Sequence, residues 1–439
     1  MRGSMLGLDI GSSSVIAGIL RGKTLLRESP RAFFPSRCHG SRVEVDPEAL
    51  LAAVAQAIRS LGSGVRKVET INLAVMCPAW VAMDRTGRAL TPMVTHQDRR
   101  SVAEAVELES RLGKKRHLEL CGCRPFPGGI SSTTWAWYLK HEPARLRKAA
   151  TIGHLNTFLH LHLTGARVID PSNASFSGLY ETLKLGGWSE ELCHNLGVDS
   201  RLLPEVLDSD VIAGRVHAAG AARFGLKEGT PVMTGLMDGS AGMIHAGAEH
   251  GRLFNVVGST DVLALCTERP RPHERLLTRA LGIGRRWLSV STLAAAASSI
   301  YWVRDQFFRE MPLAEFQAEV HRLARVGPKA AAGVTFEPYM AGERTQIEQR
   351  QGRFNGITLA TQRGHLLSAV IEGLIAASAE RLPLLQATGT SLQPVVMVSG
   401  GADRLDKILH RDWPGQWRYR AVTDATMRGL GSIEPRERV

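Results

Sequence analysis

Two stretches of this chain, far apart in sequence, carry one pattern: Ile10-Gly11-Ser12-Ser13-Ser14-Val15-Ile16-Ala17 and Val257-Gly258-Ser259-Thr260-Asp261-Val262-Leu263-Ala264. Each is a small polar turn between two apolar runs, the pattern of a β-hairpin whose turn carries no bulky side chain. Turns of this composition leave backbone N–H groups available, and successive N–H groups form an anion-binding concavity. Two of them facing one another across a cleft are able to hold a polyphosphate from both ends. The pair therefore predicts a duplicated chain that handles phosphate, although either turn alone reads equally well as an ordinary small-residue hairpin.

At 439 residues the chain is too long for one ordinary domain and suits two lobes, each with its own core. Asp46-Pro47 opens a helix, with Asp as N-cap and Pro at the first helical position, and Leu50, Leu51, Val54, Ile58 and Leu61 form its buried stripe. A strand over 71–76 and a helix over 101–112 follow, so the class is layered α/β. Long helices are expected over 291–309 and 365–385. Val395-Val396-Met397-Val398 reads as a buried strand running into Ser399-Gly400-Gly401-Ala402, a turn against which a flat ring can lie closely. A loop and short strand ending at Gly235-Leu236-Met237-Asp238-Gly239 mark the lobe boundary, giving lobes 1–233 and 234–439.

Hydrophobic content of 44% and charged content of 22% describe a globular protein, and no window of about 18 apolar residues is present to span a membrane. Met1-Arg2-Gly3-Ser4 reads as an appended leader, with the native start at Met5. Six scattered cysteines fit reduced thiols and a cytoplasmic location. Cys121-Gly122-Cys123 lacks the second pair a zinc site needs, and His160 and His162 do not share a helix face. The formal charge of +12 raises the question of nucleic acid, but its arginines are dispersed. The one tight run, Lys114-Lys115-Arg116-His117, has no interleaved aromatics, so the charge is read as a solvated surface that attracts small anions.

Taken together, these segments resemble the FGGY family of carbohydrate kinases, and within it the xylulokinase-like group. The most specific match is Gly352-Arg353-Phe354-Asn355-Gly356-Ile357 followed by His365-Leu366-Leu367-Ser368-Ala369-Val370-Ile371-Glu372, which fits the family's second signature. Leu8-Asp9-Ile10-Gly11-Ser12-Ser13-Ser14 is similar to the first phosphate loop, Val257-Gly258-Ser259-Thr260 to the second, and Gly235-Leu236-Met237-Asp238-Gly239 to the segment bearing the catalytic aspartate. Pro338 to Thr345, Asp424 to Gly429 and His96-Gln97-Asp98-Arg99-Arg100 match further family segments in order, the last lying near the sugar. The resemblance implies a two-lobed, duplicated ribonuclease-H-like fold of the actin/hexokinase type. It also implies ATP and Mg²⁺, a small sugar or polyol as substrate, neither nucleic acid nor membrane as partner, and compatibility with a homodimer.

Phosphoryl transfer to an alcohol needs charge neutralisation, in-line positioning and an acceptor for the hydroxyl proton. Asp238 is the candidate acceptor, its alternative being the cap of a helix starting at Gly239. Asp9 ends an apolar strand, where a carboxylate calls for a cation, either Mg²⁺ or a nearby arginine. By the resemblance, Gly11, Ser12 and Ser13 and then Gly258, Ser259 and Thr260 offer N–H groups to the phosphates, and Gly400, Gly401 and Ala402 let adenosine approach. Asp98 and Arg99 are candidates for sugar hydroxyls, against a surface salt bridge.

The chain departs from the family pattern at several places. Ile16 stands where the first loop usually carries a basic residue, Met76-Cys77-Pro78 replaces the sugar-contacting Met-His-Gly, and His96 and Thr134 replace a Trp and a Lys. Cys77 becomes a substrate candidate by that position. The expected function is ATP-dependent phosphorylation of a ketose or polyol. Its rivals are a catalytically impaired sugar- or nucleotide-binding relative and an actin-like ATPase, and the latter lacks the signature from Gly352 to Glu372.

Overall fold

The opening hairpin forms as its composition requires: Met5–Ile10 pairs antiparallel with Ser14–Arg21 around the turn Gly11-Ser12-Ser13. The computed structural model describes residues 3–400 and 404–438. On its other edge Met5–Ile10 pairs in parallel with Thr70–Val75. Leu6, Leu8, Ile10, Val15 and Ala17 are buried in one core with Leu50, Leu51, Val54 and Ile58 of the helix Pro47–Ser60. That helix starts where its sequence says, because the Asp46 carboxylate accepts the N–H groups of Glu48 and Ala49.

The chain divides into two compact units. The first holds the residues up to Ala248, Thr267–Leu288 and those from Asp424 on, and the second holds Glu249–Cys266 and Ser289–Thr423. This differs from the expected lobes 1–233 and 234–439, because the strand Leu236–Met237 and the helix Asp238–His245 build on the first unit's sheet. That sheet has eight strands, ordered along its main path as Ile212–Arg215, Pro231–Met233, Thr70–Val75, Met5–Ile10, Ser14–Arg21 and Thr24–Glu28. Leu236–Met237 pairs in parallel with Ala74 and Val75, so Leu236, Ala74 and Asp9 form one row across three parallel strands.

The second unit repeats the plan. Leu253–Val257 pairs antiparallel with Asp261–Thr267 and in parallel with Val395–Gly400, which pairs in parallel with Arg418–Ala421. The duplication expected from the two turns is therefore a hairpin plus a parallel strand, occurring once in each unit. Two expected helices are shorter than their sequence reading. Residues 287–293 form the strand Trp287–Leu293, buried along its whole length and carrying β-branched Val290 and Thr292, and the helix is only Ala297–Phe307. The other ends at Ala379, four residues before Pro383, whose ring would strike that residue's carbonyl, and the helix Arg381–Gln386 follows as a separate element. Among the described residues no helix is long and apolar enough to cross a membrane.

The helix Ala425–Leu430 closes the first unit. Met427 and Leu430 join a core with Met5, Leu20, Ala74 and Leu236, and the helix crosses Asp238–His245 closely. A Cβ on Gly429 would lie 2.0 Å from the Ala241 carbonyl oxygen. Alanine normally stabilises a helix interior relative to glycine by up to about 1 kcal/mol. At Gly429→Ala the sign should reverse, with a loss of about 1–3 kcal/mol from overpacking, read as a lowered Tm in thermal unfolding.

Candidate active site

Three parallel strands end together in the first unit, and two carboxylates sit at those ends. Asp9 is the penultimate residue of Met5–Ile10, and Asp238 directly follows Leu236–Met237. Both side chains are half-buried. The Asp9 carboxyl is pushed up to about 7, first by desolvation and then by the negative charge of Asp238, with Arg31 pulling the other way. The two acids are thus near enough to feel one another, at the carboxyl ends of sheet strands where α/β proteins bind ligands.

Asp238 is the first residue of its helix, where the dipole favours an anion, and its Oδ1 accepts the Gly239 N–H at 2.6 Å. It is not the N-cap, a position taken by Met237. The Met237 N–H donates to Ser172 Oγ (3.0 Å), and Ser172 is held by the buried carboxyl of Asp170, which burial pushes up to about 6. From the other flank the buried Arg279 donates to Ser240 Oγ. Ser172 and Arg279 escaped sequence reading because the residues they hold beside Asp238 lie 65 and 39 positions away.

The two loops expected to hold phosphate close differently, the first glycine bonding to the third residue on and the second to the second residue on. The Gly11 N–H donates to the Ser14 carbonyl at 3.0 Å, and the Gly258 N–H to the Thr260 carbonyl at 2.8 Å. Those two glycine N–H groups, expected to face phosphate, are therefore used inside the turns. Ser12, Ser13, Ser259 and Thr260 remain as the backbone donors of each loop. In the second unit the Gly258 and Ser259 carbonyls accept from Ala297 and Ala296 N–H at the start of the helix Ala297–Phe307. The next residue, Asp261, is fully buried and ion-pairs with buried Arg381 at 2.5 Å, while Asn255 bridges Asp261 Oδ1 to His410. Desolvation pushes His410 down to about 4, so it is neutral near pH 7.

Beside this loop lies a pocket walled by Val257, Ile300, Tyr301, Phe316 and Ile408, with Gln317 and His321 as polar groups. It is largely apolar, as small-molecule pockets commonly are. Its helical walls were not singled out from sequence, since Phe316 and Val320 at helical spacing look like ordinary core positions. Gly400 ends the strand paired to Val257, and a Cβ there would lie 2.2 Å from the Val257 carbonyl oxygen. Gly401 and Ala402 lie outside the described residues.

Family models match nearly the whole chain: the FGGY family of carbohydrate kinases, N-terminal domain, over residues 4–245, and the C-terminal domain over 253–409. The chain belongs to the FGGY family of carbohydrate kinases. It is 25% identical over 406 residues to a xylulose kinase of Escherichia coli strain K12, covering 90% of this chain and 82% of that one. It is 28% identical over 423 residues to a glycerol kinase of Trichlorobacter lovleyi, covering 91% and 82%. The crystal structure of xylulose kinase from Rhodospirillum rubrum superposes with a TM-score of 0.83 at 24% identity, over 98% of this chain and 88% of that one. A gluconate kinase from Lactobacillus acidophilus gives 0.84 at 17%, with the same coverage. These likenesses establish the actin/hexokinase-like α/β fold.

On the sugar side of the kinase, the expected residues separate. Asp98 is buried, and its oxygens accept Val43 N–H (2.7 Å), Arg100 N–H (3.0 Å) and the Arg100 guanidinium, which also reaches Glu44. Its carboxylate is occupied by a buried ion pair rather than presented to a sugar. Arg99 Nη1 donates to the His96 and Asp98 carbonyls. Cys77 is buried with Sγ 3.7 Å from His154 Nδ1, and the other ring nitrogen of His154 is 2.7 Å from Ser131 Oγ. Among the described residues no group of three or more His, Cys, Asp or Glu is placed to hold a metal ion.

Two outcomes follow from this geometry. The folded kinase holds the Asp9 proton more tightly, at about 7, than an unfolded chain does at 3.8, so this site's contribution to stability falls as pH rises between those values. Asp9→Asn should therefore raise the Tm of the ligand-free kinase more above pH 7 than near pH 4, as thermal scans across pH will register. Arg381→Met, which strands the buried Asp261 charge, should cost about 3–5 kcal/mol in denaturant unfolding. The Asp261→Asn, Arg381→Met double variant should lose less.

Proposed function

We propose that this kinase transfers the γ-phosphoryl group of ATP to a hydroxyl of a ketose or polyol, of the kind phosphorylated by the xylulose kinases it resembles. The observation that carries the reading is the pair Asp9 and Asp238 at the ends of two parallel strands of one sheet, with Asp9 raised by desolvation and then by the charge of Asp238. Asp238 accepts the proton of the attacking hydroxyl, a general-base contribution of about 10²–10⁴-fold. The helix dipole and the Gly239 N–H favour its ionised form.

Mg²⁺ suits the donors at this site: both are hard carboxylate oxygens, and the ion is usually held by one or two carboxylates together with substrate phosphates. Asp9 would hold it, with Asp238 nearby, and when bound it neutralises charge on the phosphates. In the first unit Ser12 and Ser13 offer backbone N–H groups suited to phosphate, and in the second Ser259 and Thr260 offer theirs. The pocket beside Tyr301 and Phe316 suits the adenine ring. Cys77 and Arg99 are the proposed sugar-side residues, and Asp98 holds the Arg100 guanidinium.

A coupled assay of ADP release across pentuloses, hexuloses and polyols tests the reading. At least one sugar should stimulate turnover, and Asp238→Ala should lower that rate by about 10²-fold or more. ATP binding without stimulation by any sugar would sink the proposal in favour of a catalytically impaired binding relative.

A further inference from the structure

The family's first loop carries a basic residue where this chain has Ile16, yet a cation stands beside that position. Residues 28–33 run back along Ser14–Arg21. Glu28 faces Gly18, Ser29 N–H donates to the Ala17 carbonyl (2.8 Å), Ala32 faces Val15 and Phe33 faces Ser14. Between Ser29 and Ala32 the register slips by one, so Pro30 and Arg31 both stand opposite Ile16. A bulge of this kind bends a strand and re-aims its side chains. Here it turns Arg31 toward the loop, where Nη1 donates to Ser14 Oγ at 3.0 Å.

Ile16 itself faces Asp9 across the hairpin, and the Arg31 charge acts on the Asp9 carboxyl. The guanidinium therefore lies within electrostatic reach of the place a basic side chain at position 16 would serve. Arg31 is exposed, and among the described residues it forms no ion pair and no hydrogen bond besides that to Ser14. A guanidinium has five donors in a fork that matches phosphate, so most of its capacity is open to a ligand. The same segment is tied to the loop by the Phe34 N–H, which donates to the Ser13 carbonyl at 3.0 Å.

We propose that Arg31 is the cation of the first phosphate loop, binding the terminal phosphates of ATP from a neighbouring strand in place of the residue missing at position 16. This rests on the kinase reading above. The test is calorimetric binding of AMP, ADP and ATP to the full chain with Mg²⁺, for the unaltered protein and for Arg31→Gln. Affinity for ATP and ADP should fall by about tenfold or more, the scale of a hydrogen bond to a charged group, while AMP affinity and Tm stay unchanged. Adding Ile16→Arg to Arg31→Gln should restore part of the ATP affinity.

Unchanged ATP affinity in Arg31→Gln overturns the proposal and leaves the kinase reading intact. Equal weakening of AMP and ATP, with no rescue by Ile16→Arg, also overturns it and makes Arg31 a structural support of Ser14. An unaltered protein that binds no ATP and turns over no sugar overturns the kinase reading, and this proposal with it.

Discussion

Two like charges at the ends of two parallel strands, with Thr70–Val75 between them, are the constraint around which the first unit is arranged. Burial, and then the negative charge of Asp238, raise the Asp9 carboxyl to about 7. A fold selected only for stability would have an uncharged side chain at one of these places. The surrounding parts hold the pair in position. Thr70–Val75 sets the spacing of the two strands, Ser172 and Arg279 grip the residues on either side of Asp238, and the crossing at Gly429 fixes the helix it begins.

The two loops expected to hold phosphate are alike in sequence but differ in turn length and in how they are anchored. Each is followed by a buried residue gripped by an arginine of its own unit: Ser14 by Arg31, and Asp261 by Arg381. In the second unit that arginine is buried and fully committed to a structural ion pair joined to Asn255 and His410. In the first it is exposed and bound only through a neutral hydroxyl. One loop is therefore rigidly founded, and the other keeps an available charge. The loss of a basic residue at Ile16 is a rearrangement of charge over adjacent strands more than a deletion.

Local signals in the sequence were reliable where a short segment decides its own conformation. Asp46-Pro47 started a helix, and the two hairpins formed with their turns in register, because capping and alternation act within a few residues. The reading weakened where distant partners decide. Asp98 looked like a polar residue for a sugar, but Val43 and Glu44, about 55 positions earlier, draw it and Arg100 into a buried pair. The helix expected over 291–309 begins only at Ala297, since the residues before it form a fully buried strand. Asp170, Ser172 and Arg279 carry no local mark of their role, and Arg31 reveals its place only through a one-residue slip in strand pairing.

The first unit is not a continuous piece of chain, since its last helix begins beyond Thr423. During synthesis its sheet has to wait, with Gly7 and Gly18 uncovered, until Met427 emerges to pack against them. A nascent chain halted anywhere in the second unit would expose an apolar face over the strands that carry Asp9. The sheet that carries Asp9 is thus completed only by residues that follow the whole second unit in sequence.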